Sequence, residues 1–311
     1  LYSGISVLFN YNGTNYTMSS SNSGLTKEYS YSLTIPSFTT ETNITAYFIY
    51  LLSNSTETVQ VTSDSYNQTI SPFLIDDCSS YTHTLLNFYM VDEDSLNEIN
   101  GTIEVNVNIY SYGTTELINS YNKSFNYLTK TDSKICLQNI SQDYTMSYQI
   151  RHYGDVNQYF PKYRNIQRMT INNNTLPQNI TLYNLNLSRG YAFNIIVVGN
   201  LLSSVGNRRL LVDAQRQYLS LNQFKSIETS ITNSEGIAVS HLVPTSEIYN
   251  FIVSYNGDVL GTFNSYQVQC SNAPLGQCSI TLNLAQATAT APDFDNYGNI
   301  TQLFSLDNDA H

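Results

Sequence analysis

The sequence contains no tryptophan and little charge. Asp, Glu, Lys and Arg together make up 12% of its 311 residues, 13 cationic against 24 anionic, for a net charge of −11. That is about half the usual charged share of a globular protein. An anionic chain without a basic stripe is a poor fit for nucleic acid, whose phosphates call for clustered Lys and Arg. The only adjacent cationic pair is Arg208-Arg209. No run of 18 apolar residues occurs, and the longest candidate, 191–202, is interrupted by Asn194, Gly199 and Asn200. No bilayer-spanning segment is therefore predicted. Leu, Ala, Glu, Lys and Arg are comparatively scarce, which disfavours a helix-rich protein. The chain begins at Leu1 and enters a strand-like pattern at once. It is read as a processed chain or a piece of a longer one, without a signal peptide.

Asn, Ser and Thr are abundant, alongside 26 Tyr and 13 Phe. Aromatic content at this level argues for a packed chain rather than a disordered one. Strict alternation recurs throughout. In residues 29–35, Tyr29, Tyr31, Leu33 and Ile35 alternate with Ser30, Ser32 and Thr34. In residues 103–109, Ile103, Val105, Val107 and Ile109 alternate with Glu104, Asn106 and Asn108. A period of two places every second side chain on one face and marks a half-buried strand. Short strands divided by Gly, Pro, Asn and Ser predict an all-β fold of tandem antiparallel β-sandwiches.

Residues 232–263 show how such a hairpin is written. Gly236 can supply a positive φ, Pro244 sits where no ladder donor is wanted, and Asn256-Gly257 suits a type I′ turn. Tyr249, Phe251, Val253 and Tyr255 then share a face. The order of elements from Leu85 to Leu185 can also be laid over that from Tyr191 to Leu284. Residues 85–91 match 191–198, 103–110 match 210–218, and the remaining strands follow in step. Segment 1–75 is predicted to be a shorter, Ig-like β-sandwich. Residues 76–187 and 188–285 are two further sandwiches, and 286–311 a linker with a tail strand.

Thr232, Asn233, Gly236, Pro244, Tyr249, Phe251 and Val253 resemble the motif of the carboxypeptidase-regulatory-like, or transthyretin-like, sandwich. The resemblance covers 188–285; residues 76–187 share the order without the glycine turn, and 1–75 lie outside it. It implies tandem spacer domains of secreted or surface proteins, a scaffold rather than a chemistry.

Four cysteines allow three pairings. Cys270 and Cys278 flank a seven-residue turn rich in Pro and Gly. They are expected to pair locally, which leaves Cys78 with Cys136; buried free thiols are the alternative. Twelve Asn-x-Ser/Thr triplets are candidate glycosylation sites: Asn12, Asn15, Asn43, Asn54, Asn67, Asn100, Asn122, Asn139, Asn173, Asn179, Asn186 and Asn299. A chain this rich in Asn, Ser and Thr generates such triplets by chance. Their distribution is more informative, since eleven precede residue 187.

Catalytic signatures are hard to find. The histidines, His83, His152, His241 and His311, are scattered, and no nucleophile elbow, phosphate loop or dinucleotide fingerprint appears. A glycosidase acid pair needs only two carboxylates from anywhere in the fold, yet the missing Trp counts against a sugar-stacking cleft. Asp92, Asp94, Asn97 and Glu98 could offer oxygen ligands to calcium, with a solvated loop as the plain alternative. Asp293 and Asp295 begin a calcium-like loop that Tyr297 and Phe304 interrupt. No catalytic residue, metal site or cofactor is assigned. In the tail, Ile300, Phe304 and Leu306 share one face and suit addition to a sheet edge, in the same or a neighbouring copy. The functional expectation is an extracellular, cell- or virion-surface structural subunit that self-associates into a fibre, pilus-like filament or layer. An adhesin, or a non-catalytic part of a larger secreted hydrolase, is the alternative.

Overall fold

A computed structural model describes residues 4–23, 26–33, 35, 38, 40–70, 72–126, 133–138, 140, 142–199, 209–270 and 278–286. The chain is all-β and separates into two compact units, Leu1–Leu74 and Ile75–His311.

In the first unit, β1 (Gly4–Tyr11), β2 (Thr14–Thr17), β5 (Thr42–Ser53), β6 (Thr58–Thr62) and β7 (Tyr66–Ile70) form one sheet. The long strand β5 pairs β1 along one edge and β6 and β7 in succession along the other. β3 (Ser19–Ser23) and β4 (Thr26–Ser30) make a separate two-stranded ribbon. Among the described residues of the first unit that ribbon is the only other sheet, in place of the second full sheet an Ig-like sandwich would have. The alternation of 29–35 does not continue as a strand. Ser19↔Ser30 is the last pair of the ribbon, so the chain beyond Ser30 has no ladder partner there.

The second unit holds two sheet pairs of the same design. In the first pair, one sheet runs β11-β10-β13-β14 and the other β15-β9-β12-β8. Their strands are β8 (Ile75–Asp76), β9 (His83–Asp92), β10 (Thr102–Ser111), β11 (Leu117–Asn126), β12 (Lys134–Leu137), β13 (Tyr144–Tyr153), β14 (Lys162–Ile171) and β15 (Gln178–Asn184). In the second pair the sheets run β18-β17-β20-β21 and β19-β16-β22. These strands are β16 (Tyr191–Val198), β17 (Leu211–Tyr218), β18 (Gln223–Ile231), β19 (Ile237–Leu242), β20 (Ile248–Tyr255), β21 (Asp258–Gln267) and β22 (Cys278–Asn283), followed by a 3-10 turn at Leu284–Gln286. β9 to β15 and β16 to β22 thus repeat one strand order. Each repeat also contains one parallel pair, β9 with β15 and β16 with β22, within an otherwise antiparallel scheme. Parallel neighbours need a long crossover, and here the whole repeat serves as that connection.

Alternation becomes burial as expected. On β10, Ile103, Val105, Val107 and Ile109 are buried, facing Met146, Tyr148 and Ile150 of the neighbouring β13. In the second repeat Phe193, Ile195, Val212, Tyr249, Phe251 and Val253 form the core. Each such side chain contributes roughly 1.5–3 kcal/mol when fully removed from water. The turns follow their residues: Gly236 has φ 81°, and Asn256 and Gly257 have φ 52° and 93° at the tip between β20 and β21. The Asn233 carboxamide oxygen accepts from the Glu235 and Ile237 amides, which closes the turn before β19. Disulfides join Cys78 to Cys136 and Cys270 to Cys278, with Cα separations of 4.8 and 4.9 Å.

Candidate functional site: a buried ionic junction and an amide-lined groove

Between the two sheet pairs of the second unit lies a concentration of charge unusual for so uncharged a chain. It begins with β14. Lys162 and Arg164 sit two residues apart, share a strand face, and are both buried. Opposite them are the segment after β9, carrying Glu93 and Asp94, and strand β17, carrying Asp213 and Arg216. Lys162 Nζ donates to Glu93 Oε2 at 2.6 Å, and both side chains are fully buried. Arg216 donates to Glu93 at 3.2 Å and Asp94 at 2.7 Å, and grips Glu247 through Nε at 3.1 Å and Nη2 at 3.0 Å. Arg189 adds a bond to Asp94 at 2.9 Å. The cluster is balanced, with Lys162, Arg189 and Arg216 against Glu93, Asp94 and Glu247.

A second pair lies alongside. Arg164 donates to Asp213 at 3.0 Å and to Thr229 at 2.9 Å, and the Thr229 hydroxyl donates on to Asp213 at 2.8 Å. The Ser226 hydroxyl also donates to Asp213. Asn165 donates to the Thr229 carbonyl at 2.6 Å, and Gln167 accepts from the Asn256 amide at 2.9 Å. Apolar contact continues through the same region: Val91 and Tyr183 of the first repeat belong to the second repeat's core, and Phe160 stacks on His241 with ring centroids 4.6 Å apart.

Burial would by itself lower the Arg216 pKa, but Glu93 and the Asp94 hydrogen bond raise it well above the ordinary arginine value. Burial likewise pushes Asp94 up, and the bonds from Arg216 and Arg189 more than reverse that. Glu228 follows the same pattern: its burial is outweighed by pairing with His241, whose backbone amide donates to it at 2.7 Å. His152 is different. Burial, opposed by a 3.0 Å bond to Asn184, depresses its pKa to about 4, so it is held neutral. An ion pair taken out of water is stabilising only when its geometry and remaining hydrogen bonds are satisfied. Here Glu93 is held at every polar group: its amide donates to the Asn184 carbonyl, and its own carbonyl accepts from Tyr218 at 3.0 Å.

Above this junction is an open groove of roughly 1030 Å³ between the outer face of β11-β10-β13-β14 and strands β16, β18 and β19. Its floor is a row of amides in register across the sheet: Asn122, Asn106, Gln149 and Asn165. The Asn106 amide donates to Asn122 at 2.5 Å. Beside the row Arg151 is paired with Glu104 and Lys123 with Asp77, and Arg209 is a third cation on the groove wall. Tyr163 lies next to Arg151 on β14 and is 43% exposed.

No family model and no curated protein matches this sequence. Solved structures with similar chain traces are all-β. The Bacillus anthracis TIE protein aligns with a TM-score of 0.27 at 9% identity, over 91% of this chain and 51% of that one. The chain therefore spans about half the length of that protein. A streptococcal ancillary pilin aligns at 0.21 and 10% identity, over 87% and 80%. BcpA, the major pilin subunit of Bacillus cereus, aligns at 0.19 and 7% identity, over 90% and 94%. The likeness is one of all-β architecture and nothing finer.

The sequence candidates fall into three groups. In the loop of Asp92, Asp94, Asn97 and Glu98, the Asp92 carboxylate caps the turn by accepting from the Ser95 amide at 2.8 Å and Asp94 is taken by two arginines, while Asp94, Ser95, Asn97 and Glu98 are exposed. Among the described residues no group of three His, Cys, Asp or Glu is placed to hold a metal ion, and no helix is long and apolar enough to cross a membrane, which does not bear on β-barrels. Ten of the twelve glycosylation candidates are described, and they are spread over several strands and turns. Asn139, Asn299, the tail residues Ile300, Phe304 and Leu306, and the loop at Asp293 and Asp295 lie outside the described residues. Sequence reasoning missed Glu93, Lys162, Arg164, Asp213 and Arg216. A signal did exist: charges at same-face positions inside strands, in a chain where charge is scarce.

Proposed function

We propose that this chain is a structural subunit of an extracellular or cell- or virion-surface assembly, built of tandem sandwiches at 1–75, 76–187 and 188–285 with the tail at 286–311. Transthyretin-like modules, carrying N-linked sugars and joining copies of the chain into a fibre or layer, complete the reading. The observation that supports it best is the ionic junction. Two sandwiches linked by a flexible tether would move independently by default. Largely buried charge pairs that cross from one repeat to the next, Arg216 with Glu93 and Arg164 with Asp213, support a single fixed orientation of the neighbours, as a stiff rod requires. Polymer contacts are assigned to the tail, with Ile300, Phe304 and Leu306 adding a strand to a sheet edge of the next copy. A chain truncated after residue 292 is expected to remain soluble and folded and to form no filaments by electron microscopy. Filaments of normal length from that chain would remove the tail from the mechanism.

The groove favours an adhesin as the second reading. A monodisperse, non-polymerising protein that binds immobilised oligosaccharides would replace the fibre reading with that one.

A further inference from the structure

Among the candidate sites for sugar attachment, Asn122 is set apart by its surroundings. The whole triplet Asn122-Lys123-Ser124 lines the groove. Asn122 lies on β11, the edge strand of its sheet, and is exposed. Its carboxamide oxygen is engaged as the acceptor for Asn106, and its nitrogen has no acceptor among the described residues. Asn173 is the opposite case: its amide nitrogen donates to the Ile140 carbonyl at 2.7 Å.

We infer that Asn122 carries an N-linked, uncharged oligosaccharide whose first rings lie along the amide row of the groove. This rests on the extracellular reading above and goes beyond it by assigning the site and the seat. In the attachment step Nδ2 of Asn122 forms a bond to the anomeric carbon of a diphosphate-activated oligosaccharide. The bond from that carbon to the phosphate oxygen breaks, the diphosphate leaves with the electron pair, and one amide proton passes to a base of the transferring enzyme. The product keeps the carbonyl oxygen, so the Asn106 bond survives.

The chemistry of the groove suits a neutral sugar. Carboxamides present a donor and an acceptor side by side, as adjacent hydroxyl groups do. Two of the three cations lining the groove, Arg151 and Lys123, are neutralised by Glu104 and Asp77, which leaves Arg209 as the one feature to favour an anionic sugar against a floor of four neutral amides. The exposed ring of Tyr163 offers an apolar face. A groove near the upper end of the usual 300–1000 Å³ ligand range, about the size of a drug-like molecule or larger, has room for several rings. A sugar there would also shield the β11 edge, whose unpaired backbone groups would otherwise template pairing with another sheet.

The test is site mapping on the native secreted protein. Enzymatic release of N-linked sugar in heavy-oxygen water converts each occupied Asn to labelled Asp. The Asn122 peptide is expected to carry the label and the Asn173 peptide to lack it. Under native conditions release at Asn122 should be at least tenfold slower than at other occupied sites, and equal to them after denaturation. Ser124→Ala, which abolishes the triplet but retains Asn122 and its bond to Asn106, should lose the label while keeping the wild-type fold by circular dichroism. An unlabelled Asn122 beside labelled neighbours overturns the assignment alone. A protein with no label anywhere overturns both the assignment and the glycoprotein reading. Fast native release at Asn122 overturns the seat. Filament formation is scored separately and does not depend on any of these results.

Discussion

The two compact units are written in the same alternating, tyrosine-rich style, yet they differ sharply in what they bury. Of the buried hydrophobic residues among those described, the first unit contributes Val7, Tyr11, Ile44 and Ile49, and the second unit forty-four. Ile5, Tyr50, Val61 and Tyr66 remain exposed in the first unit. Alternation specifies a face; it does not supply the layer that covers it. The second unit has four sheets of three or four strands, and among the described residues of the first the five-stranded sheet is accompanied only by a two-stranded ribbon. The first unit is therefore expected to unfold at lower denaturant concentration, and substitutions in the second to move the later transition alone.

That contrast can be sharpened by three perturbations. The largest effect is expected from Lys162→Met. It removes one partner of a fully buried pair and leaves Glu93 with Arg216 alone, a change that costs about 3–5 kcal/mol. Urea denaturation should show the later transition moved down and the earlier one unchanged. Movement of the first transition would mean that the units are not energetically separate. Next is the Cys78–Cys136 bridge. Its loop of 58 residues corresponds to about 4 kcal/mol of lost unfolded-state entropy, against about 2.5 kcal/mol for the eight-residue separation of Cys270 and Cys278. Paired Cys→Ala variants, compared by calorimetry, should rank in that order.

The smallest effect, taken per unit of pH, concerns acid. His152 titrates near 4 in the folded chain and at 6.5 when unperturbed. Between those values the unfolded chain binds the proton and the folded chain does not. Stability is thus complete above pH 6.5 and falls as the pH drops toward 4, by at most about 3–4 kcal/mol over the whole window. The surrounding Asn184, Lys162, Glu228 and Arg164 all contribute to that environment. His152→Gln should flatten the later transition's pH dependence in this window. An unchanged slope would remove His152 as its source; Glu228 and Asp94, whose values are depressed from the ordinary carboxylate range, release their stability at lower pH than this window.

Much of this fold could be read directly. Residues 103–109 lie within β10, and the order of elements laid across 85–185 and 191–284 is the order in which both sheet pairs are built. Asn256-Gly257 makes its turn because few other pairs tolerate two successive positive φ values. The run at 29–35 misled because its pattern is intrinsic to the segment while a ladder needs a second strand. The parallel pairings of β9 with β15 and β16 with β22 were invisible, since they join segments about ninety residues apart and leave no local trace. The candidate site was the least legible part. Glu93 looked like one acid among several in a loop, and Asn106 and Asn122 like ordinary polar positions on two strands.

What the sequence determined by itself is the strand inventory, the side of each strand that turns inward, and the turns that reverse the chain. These depend on periodicity and on local backbone preference, which act over a few residues. Only the tertiary structure decided that Lys162 meets Glu93, that Arg216 reaches three carboxylates, and that four amides line up as one floor. Those outcomes depend on register between distant strands and on the packing of one sandwich against the next. Burial then makes each charge intolerant of any arrangement but a paired one.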